Sequence, residues 1–222
     1  MNDWLTRNAA RIAATAPDRM QALVAVSSPS GDAAGADEAL ALVVSAVPAG
    51  AHVERVPCST SGHADDLVVR VAGTGRARLL LVGHVDTVVA HAEHEPPRED
   101  PDDPGRLLGS GSVDMKGGDA LALGVLHALA ERGTEIAEVA LLLVTDEEWR
   151  VGEFVHAERF RGYDACLCFE AGELNAAGED AVIVRRKAAG TVRVTAAGRS
   201  AHSGANPDAG HNALLALAVA AQ

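Results

Sequence analysis

The sequence predicts an α/β fold, a sheet of apolar strands flanked by helices. Two observations carry the prediction. Short apolar runs alternate with longer segments of helical period. Several of those runs also stop at a His, Asp or Glu, and the carboxyl ends of strands are where open α/β sheets bind ligands.

Taken in order, Asp3 to about Val26 reads as a helix, with Trp4, Ile12, Leu23 and Val26 as its apolar points. "SSPSGD" at 27–32 breaks it. Asp37–Val47 reads as a second helix, stopped by Pro48. Strands follow at Val53–Val56, Leu67–Val71 and Leu79–Val82. The last is a continuous apolar run, as expected of a strand covered on both faces. Residues 91–106 are polar, carry four prolines and read as a surface loop. Gly117–Arg132 spaces Leu121, Val125, Leu126 and Leu129 for one buried helical face. A strand at Val139–Val144, a helical segment near Gly152–Arg159 and a strand at Ala165–Phe169 extend the alternation, which places helices on both faces of the sheet.

The character changes near residue 175. "VIVRRKAAGTVRVTAAGRSAH" reads as amphipathic β structure, and "NALLALAVAAQ" as a helix with no stop signal. The carboxyl end therefore reads as cut.

Composition narrows the functional classes. The 222 residues are 48% hydrophobic, enough for one sizeable core or for one domain and part of another. A net charge of −12 argues against nucleic acid and anionic membranes as partners. No apolar run approaches the roughly 20 residues of a membrane span, and the amino terminus has no signal core, so a soluble cytoplasmic protein is expected. Three cysteines do not make a disulfide framework; Cys166 and Cys168, on one face of a strand, are expected as buried thiols.

Four segments end in groups that suit a divalent ion. "LLLVGHVDTV" supplies His84 and Asp86; "GSGSVDMKGG" supplies Asp114; "LLLVTDEEW" supplies Glu147 and Glu148; "CLCFEAGE" supplies Glu170 and Glu173. Strands that are neighbours would bring them to one edge, and His with Asp and Glu suits Zn²⁺ or a similar cation. Each has a plainer reading. His84 can be a core or surface histidine, Asp114 a helix cap, Glu147 and Glu148 a solvated turn, and Glu170 a strand-end acid. "HAEHE" at 91–95 is set aside because it sits in the proline-rich loop, and His52, His63, His127, His156 and His211 have no supporting pattern. No HExxH helix is present.

Together "GHVDTV", "GSVDMKGG", "TDEE", "FEAGE" and "GRSAHSGANPDAGHNAL" resemble the zinc-dependent carboxypeptidase and amidohydrolase family of glutamate carboxypeptidase, acetylornithine deacetylase, succinyl-diaminopimelate desuccinylase and the aminoacylases. The resemblance implies a phosphorylase/hydrolase-like three-layer αβα catalytic domain over 1–180 and the start of an inserted α+β lid, or dimerisation domain, over 181–222. It implies two Zn²⁺ per complete site, with Co²⁺ or Mn²⁺ as alternatives. His84 and Glu170 would ligate the first metal, Glu148 the second, and Asp114 would bridge them. Glu147 would be the general base and Asp86 the hydrogen-bond partner of the far nitrogen of His84. His202 would be the lid histidine that reaches a partner subunit's site, which implies a homodimer. The Asp114–Met115 peptide would be cis. The implied reaction is hydrolysis of amide bonds in small N-acyl amino acids or peptides with a free carboxylate.

Two departures stand beside it. The family's last metal-ligating histidine, on a returning catalytic segment, has no counterpart, and "WRVGEFVH" replaces a small-residue turn after "TDEE". The alternative expectation is thus a truncated, non-catalytic remnant or fragment acting as a binding protein.

Overall fold

The computed structural model describes residues 3–185 and 192–221. They fall into two compact units, Met1–Ile183 and Val184–Gln222.

The first unit opens with helices α1 (Asp3–Ala25) and α2 (Ala33–Ser45). Asp32 caps α2, its carboxylate accepting from the Gly35 N–H at 2.9 Å. This cap starts α2 four residues earlier than the apolar pattern alone suggests. Strands β1 (His52–Val56), β2 (Asp66–Ala72) and β3 (Ala77–His84) follow, then the two-residue strands β4 (Arg98–Glu99) and β5 (Leu107–Leu108), which pair across the proline-rich loop. Helix α3 (Gly117–Ala130), β6 (Ile136–Val144) and β7 (Ala165–Cys168) complete the main sheet. A short pair, β8 (Glu173–Leu174) and β9 (Asp180–Ala181), follows it.

The sheet order is β1-β2-β6-β3-β7. β2 runs antiparallel to both β1 and β6, whereas β3 is parallel to both β6 and β7. Side chains alternate between the faces. Leu67, Val69, Leu81, Val139, Leu141 and Leu143 meet Leu23, Leu40, Val43, Leu123 and Leu126 of the three helices. Val68, Leu80, Ala140, Leu142 and Val144 point the other way, against Phe160 and Tyr163. The class is α/β, with a mixed sheet. Among the described residues the helices of this unit cover one face and the 154–163 segment covers part of the other.

Three local expectations are corrected. The helical segment near Gly152–Arg159 is a single 3₁₀ turn at Glu158–Phe160. Tertiary contacts override its weak period: the Val155 N–H donates to Ser59 Oγ at 3.2 Å, and His156 is buried against Asp66. Cys166 and Cys168 are exposed, because β7 is the outermost strand of the sheet and no described element covers it. In the second unit, residues 192–198 form no strand, since none of the described residues pairs with them; residues 186–191 of the same expected β segment lie outside the described residues. The described residues of that unit include a bridge from Arg199 to His211 and helix α4 (Ala213–Ala220), capped by Asn212. No helix among the described residues is long and apolar enough to cross a membrane.

Candidate metal centre

Parallel pairing of β6, β3 and β7 sends their carboxyl ends to the same edge. His84 ends β3 opposite Val144, and Val82 lies opposite Cys168, so the turns carrying Glu147–Glu148 and Glu170 flank His84. The start of α3 comes to this edge because two glycines allow it. A Cβ on Gly118 would lie 1.9 Å from the Phe169 carbonyl oxygen, and one on Gly83 would lie 2.0 Å from an Asp119 oxygen. No other residue permits so close an approach.

The result is one buried imidazole facing three carboxylates. His84 is 1% exposed. Its Nε2 lies 2.9 Å from Asp114 Oδ1, 3.4 Å from Glu170 Oε1 and 3.9 Å from Glu147 Oε2. One ligand atom each from His84, Asp114 and Glu170 falls within a mutual 4.8 Å. The Asp114 side chain is 62% exposed and that of Glu170 32%, so the group opens to solvent on its acidic side. Asp114 follows a left-handed Gly111, and the Asp114–Met115 peptide is cis. Asp114 does not cap α3, which begins at an αR Lys116 with no side-chain cap. The helix-cap reading of this residue is therefore not what the structure shows.

Asp86 is buried behind the imidazole. His84 Nδ1 is 3.0 Å from the Asp86 carbonyl oxygen and 3.3 Å from Asp86 Oδ1. The same carboxylate accepts from the N–H groups of Glu147 and Glu148, each at 3.2 Å. Asp86 thus ties the end of β3 to the acidic turn after β6, and presents Nε2 of His84 to the acids. The three consecutive acids divide: Glu147 approaches His84, Glu148 lines a hollow with Asp114, and Asp146 is buried elsewhere.

The electrostatics follow. Burial would lower the pKa of His84, but the hydrogen bond and charge of Asp86, with the charges of Asp119 and Glu170, outweigh it and raise the value to about 10. Burial raises Asp86, yet bonding to His84, the His84 charge and the Glu148 N–H bring it below its ordinary range. Burial, then the charge of Asp114, raises Glu148 to about 7. In the metal-free protein His84 thus holds a proton that the unfolded chain releases. Its contribution to stability is complete below about pH 6.5 and is lost as the pH rises through about 10. The stability difference between wild type and His84→Gln, measured by denaturant unfolding with chelator present, is expected to shrink across that window. A difference that grows with pH contradicts this assignment.

Other residues singled out in the sequence have settings of their own. Glu173 lies in the exposed strand β8. His202 belongs to the second unit, where its Nδ1 accepts from the N–H groups of Gly204 and Ala205. His91, in the loop set aside, bonds Ser27 at 2.8 Å and approaches Asp32 at 3.3 Å. Trp149 is 58% exposed, while Arg150 stacks over Phe154 at 4.8 Å.

The sequence reading missed two buried charges beside the group. Lys116 is fully buried, its ammonium donating to the Val26 carbonyl at 2.6 Å, and burial lowers its pKa to about 8. Asp119 is 1% exposed, and neither of its oxygens accepts a hydrogen bond. Burial holds Asp119 well above the usual carboxylate range. Gly83, at the end of an apolar run, and Gly118, beside Asp119, were the available sign of this crowding. Because the folded state favours the protonated acid, Asp119 costs stability as the pH rises above about 4. In the metal-free chain Asp119→Asn is expected to gain stability over wild type with rising pH, on the order of 1 kcal/mol near neutrality. Unfolding curves that show a constant or shrinking gap contradict it.

Known proteins resemble this chain in sequence and in fold. Residues 80–222 match the model of peptidase family M20/M25/M40. Carboxypeptidase G2 of Pseudomonas sp. (strain RS-16) is 32% identical over 158 residues, covering 68% of this chain and 36% of the relative. Succinyl-diaminopimelate desuccinylase of Methylobacterium sp. (strain 4-46) is 37% identical over 171 residues, covering 69% and 42%. The chain therefore spans about two fifths of these relatives' length. The structure of aminopeptidase PepT from Bacillus cereus superposes with a TM-score of 0.57 at 17% identity, over 92% of this chain and 54% of that one, a likeness of fold alone. Since the family match takes in more than half of the 222 residues, including every member of the His84 group, the chain belongs to peptidase family M20/M25/M40.

Proposed function

We propose that the protein hydrolyses amide or peptide bonds in small N-acyl amino acids or peptides with a free carboxylate, with a divalent cation at His84, Asp114 and Glu170. The observation that carries this is the single Nε2 of His84 facing three carboxylates at 2.9–3.9 Å. One imidazole nitrogen and several carboxylate oxygens are the donor set that Zn²⁺ accepts, and Co²⁺ or Mn²⁺ are alternatives. Glu148, which lines a hollow with Asp114, would hold a second cation together with Asp114.

Bound there, a divalent cation supplies Lewis acidity and lowers the pKa of water toward neutrality. The remaining work belongs to the chain. Asp86 holds the His84 ring and both glutamate N–H groups. Glu147, the acid of the turn that reaches toward His84, takes the proton of the attacking water and passes it to the leaving amine. His202 steadies the developing oxyanion of a partner's site, in a homodimer formed through the second unit. The cytoplasm is the proposed location.

The test is amine release from a panel of N-acyl amino acids and dipeptides, with and without chelator. Release that chelator abolishes and zinc restores supports the proposal. Release indifferent to chelator, or none from any substrate with zinc present, contradicts it.

A further inference from the structure

A second cluster of metal-ligating groups lies on the other side of the acidic turn. Asp66 opens β2, Asp146 follows β6, and Cys58 follows β1. These three strands are adjacent and antiparallel, with Val56 opposite Asp66 and Leu67 opposite Leu143, so the three residues emerge at one edge. A ligand atom from each falls within a mutual 4.8 Å. None of them belongs to the His84 group.

The hydrogen bonding leaves room for a ligand. Asp66 is fully buried; Oδ1 accepts from the Thr145 N–H and shares, at 3.2 Å, the hydroxyl proton that Thr145 gives to the Ala64 carbonyl at 2.7 Å, and Oδ2 faces His156 Nε2 at 2.8 Å. That uses three of about four acceptor positions on a carboxylate. Asp146 is also fully buried. Its Oδ2 accepts from Thr60 Oγ1 at 2.6 Å, but Oδ1 accepts no hydrogen bond. The nearest cation is the Arg150 guanidinium, 3.5 Å from Oδ1 and without hydrogen-bond geometry. A buried carboxylate oxygen left this way is costly. The charges point the same way. With Cys58 as its thiol, which burial pushes up to about 11, two carboxylates against one guanidinium leave a net charge of −1; release of the thiol proton on binding makes it −2, which one divalent cation cancels.

We propose that Cys58, Asp66 and Asp146 form a second divalent-cation site, of mixed sulfur and oxygen donors, with His156 orienting the Asp66 carboxylate. Sulfur in the donor set favours zinc or cadmium over magnesium or calcium. On binding, the cation displaces the Cys58 thiol proton, which leaves to solvent. Its structural consequence is a clamp between loop 57–65 and the base of the turn that carries Glu147 and Glu148.

Cobalt(II) titration of the chelator-treated chain tests this, in a Cys166→Ser/Cys168→Ser background that removes the two exposed thiols. The His84 group has only nitrogen and oxygen donors, so a thiolate-to-cobalt charge-transfer band in the near ultraviolet can arise only from Cys58. The expected result is that band, its loss in Cys58→Ser and its weakening in Asp146→Asn, with the visible cobalt bands of the His84 group retained. Visible bands without the thiolate band overturn the second site and leave the first standing. No cobalt bands at all overturn both. Because the decisive spectrum is that of the background protein, a poorly folding Cys58→Ser variant does not rescue the proposal.

Discussion

Glu147→Gln is expected to lower amide turnover by about 10²–10⁴-fold, the usual contribution of a general base, and to leave bound metal unchanged. The glutamine keeps the size of the side chain and the backbone N–H that donates to Asp86 Oδ1 at 3.2 Å. What it loses is the capacity to accept a proton. Glu147 Oε2 stands 3.9 Å from His84 Nε2, farther than the Asp114 and Glu170 oxygens at 2.9 and 3.4 Å. That ordering fits a group that reaches the reacting water and leaves the cation to its neighbours. Steady-state kinetics beside elemental analysis separate the two roles. A variant with normal turnover removes Glu147 as the base; one that loses its metal makes Glu147 a ligand.

His84→Ala is expected to weaken divalent-metal binding by at least about 100-fold. Losing an outer partner of a metal ligand already costs about 10–100-fold, and His84 supplies the only imidazole within the group. Calorimetric titration of zinc into the chelator-treated variant measures the effect. Asp86→Ala is informative beside it. Removing that carboxylate frees both the imidazole and the N–H groups of the acidic turn, so its loss of affinity should fall between those of wild type and His84→Ala. Equal affinity in wild type and His84→Ala contradicts the assignment.

The site was legible to the extent that it lies at strand ends. The apolar run before His84 and the one before Asp146 announce buried strands, and an ionisable residue closing such a run must face either a partner or solvent. The strand order was not legible. That Glu170 meets His84 depends on β7 lying beside β3, a long-range pairing that no local pattern encodes. Asp119 escaped notice for a related reason. In sequence it is an acid in the first turn of a helix, where acids are ordinary; its burial, with Gly83 packed against it, comes from tertiary structure. His156 likewise had no motif, because its partner Asp66 lies 90 residues away. That pairing also explains why the segment around it is not helical, since tertiary contacts outweigh a marginal local period. Asp114 shows the opposite case. Read alone it is equally a cap or a ligand; the bare start of α3 removes the cap, and Asp114 Oδ1 lies 2.9 Å from His84 Nε2.

The proposed hydrolysis depends on a divalent cation held by His84, Asp114 and Glu170. The most direct measurement is the zinc-to-protein ratio of the purified chain by elemental mass spectrometry after dialysis, beside that of Asp114→Ala. Wild type is expected to retain more zinc per chain than the variant, by about one equivalent, whatever binds at Cys58. Equal ratios in the two proteins, whether both loaded or both empty, would contradict it.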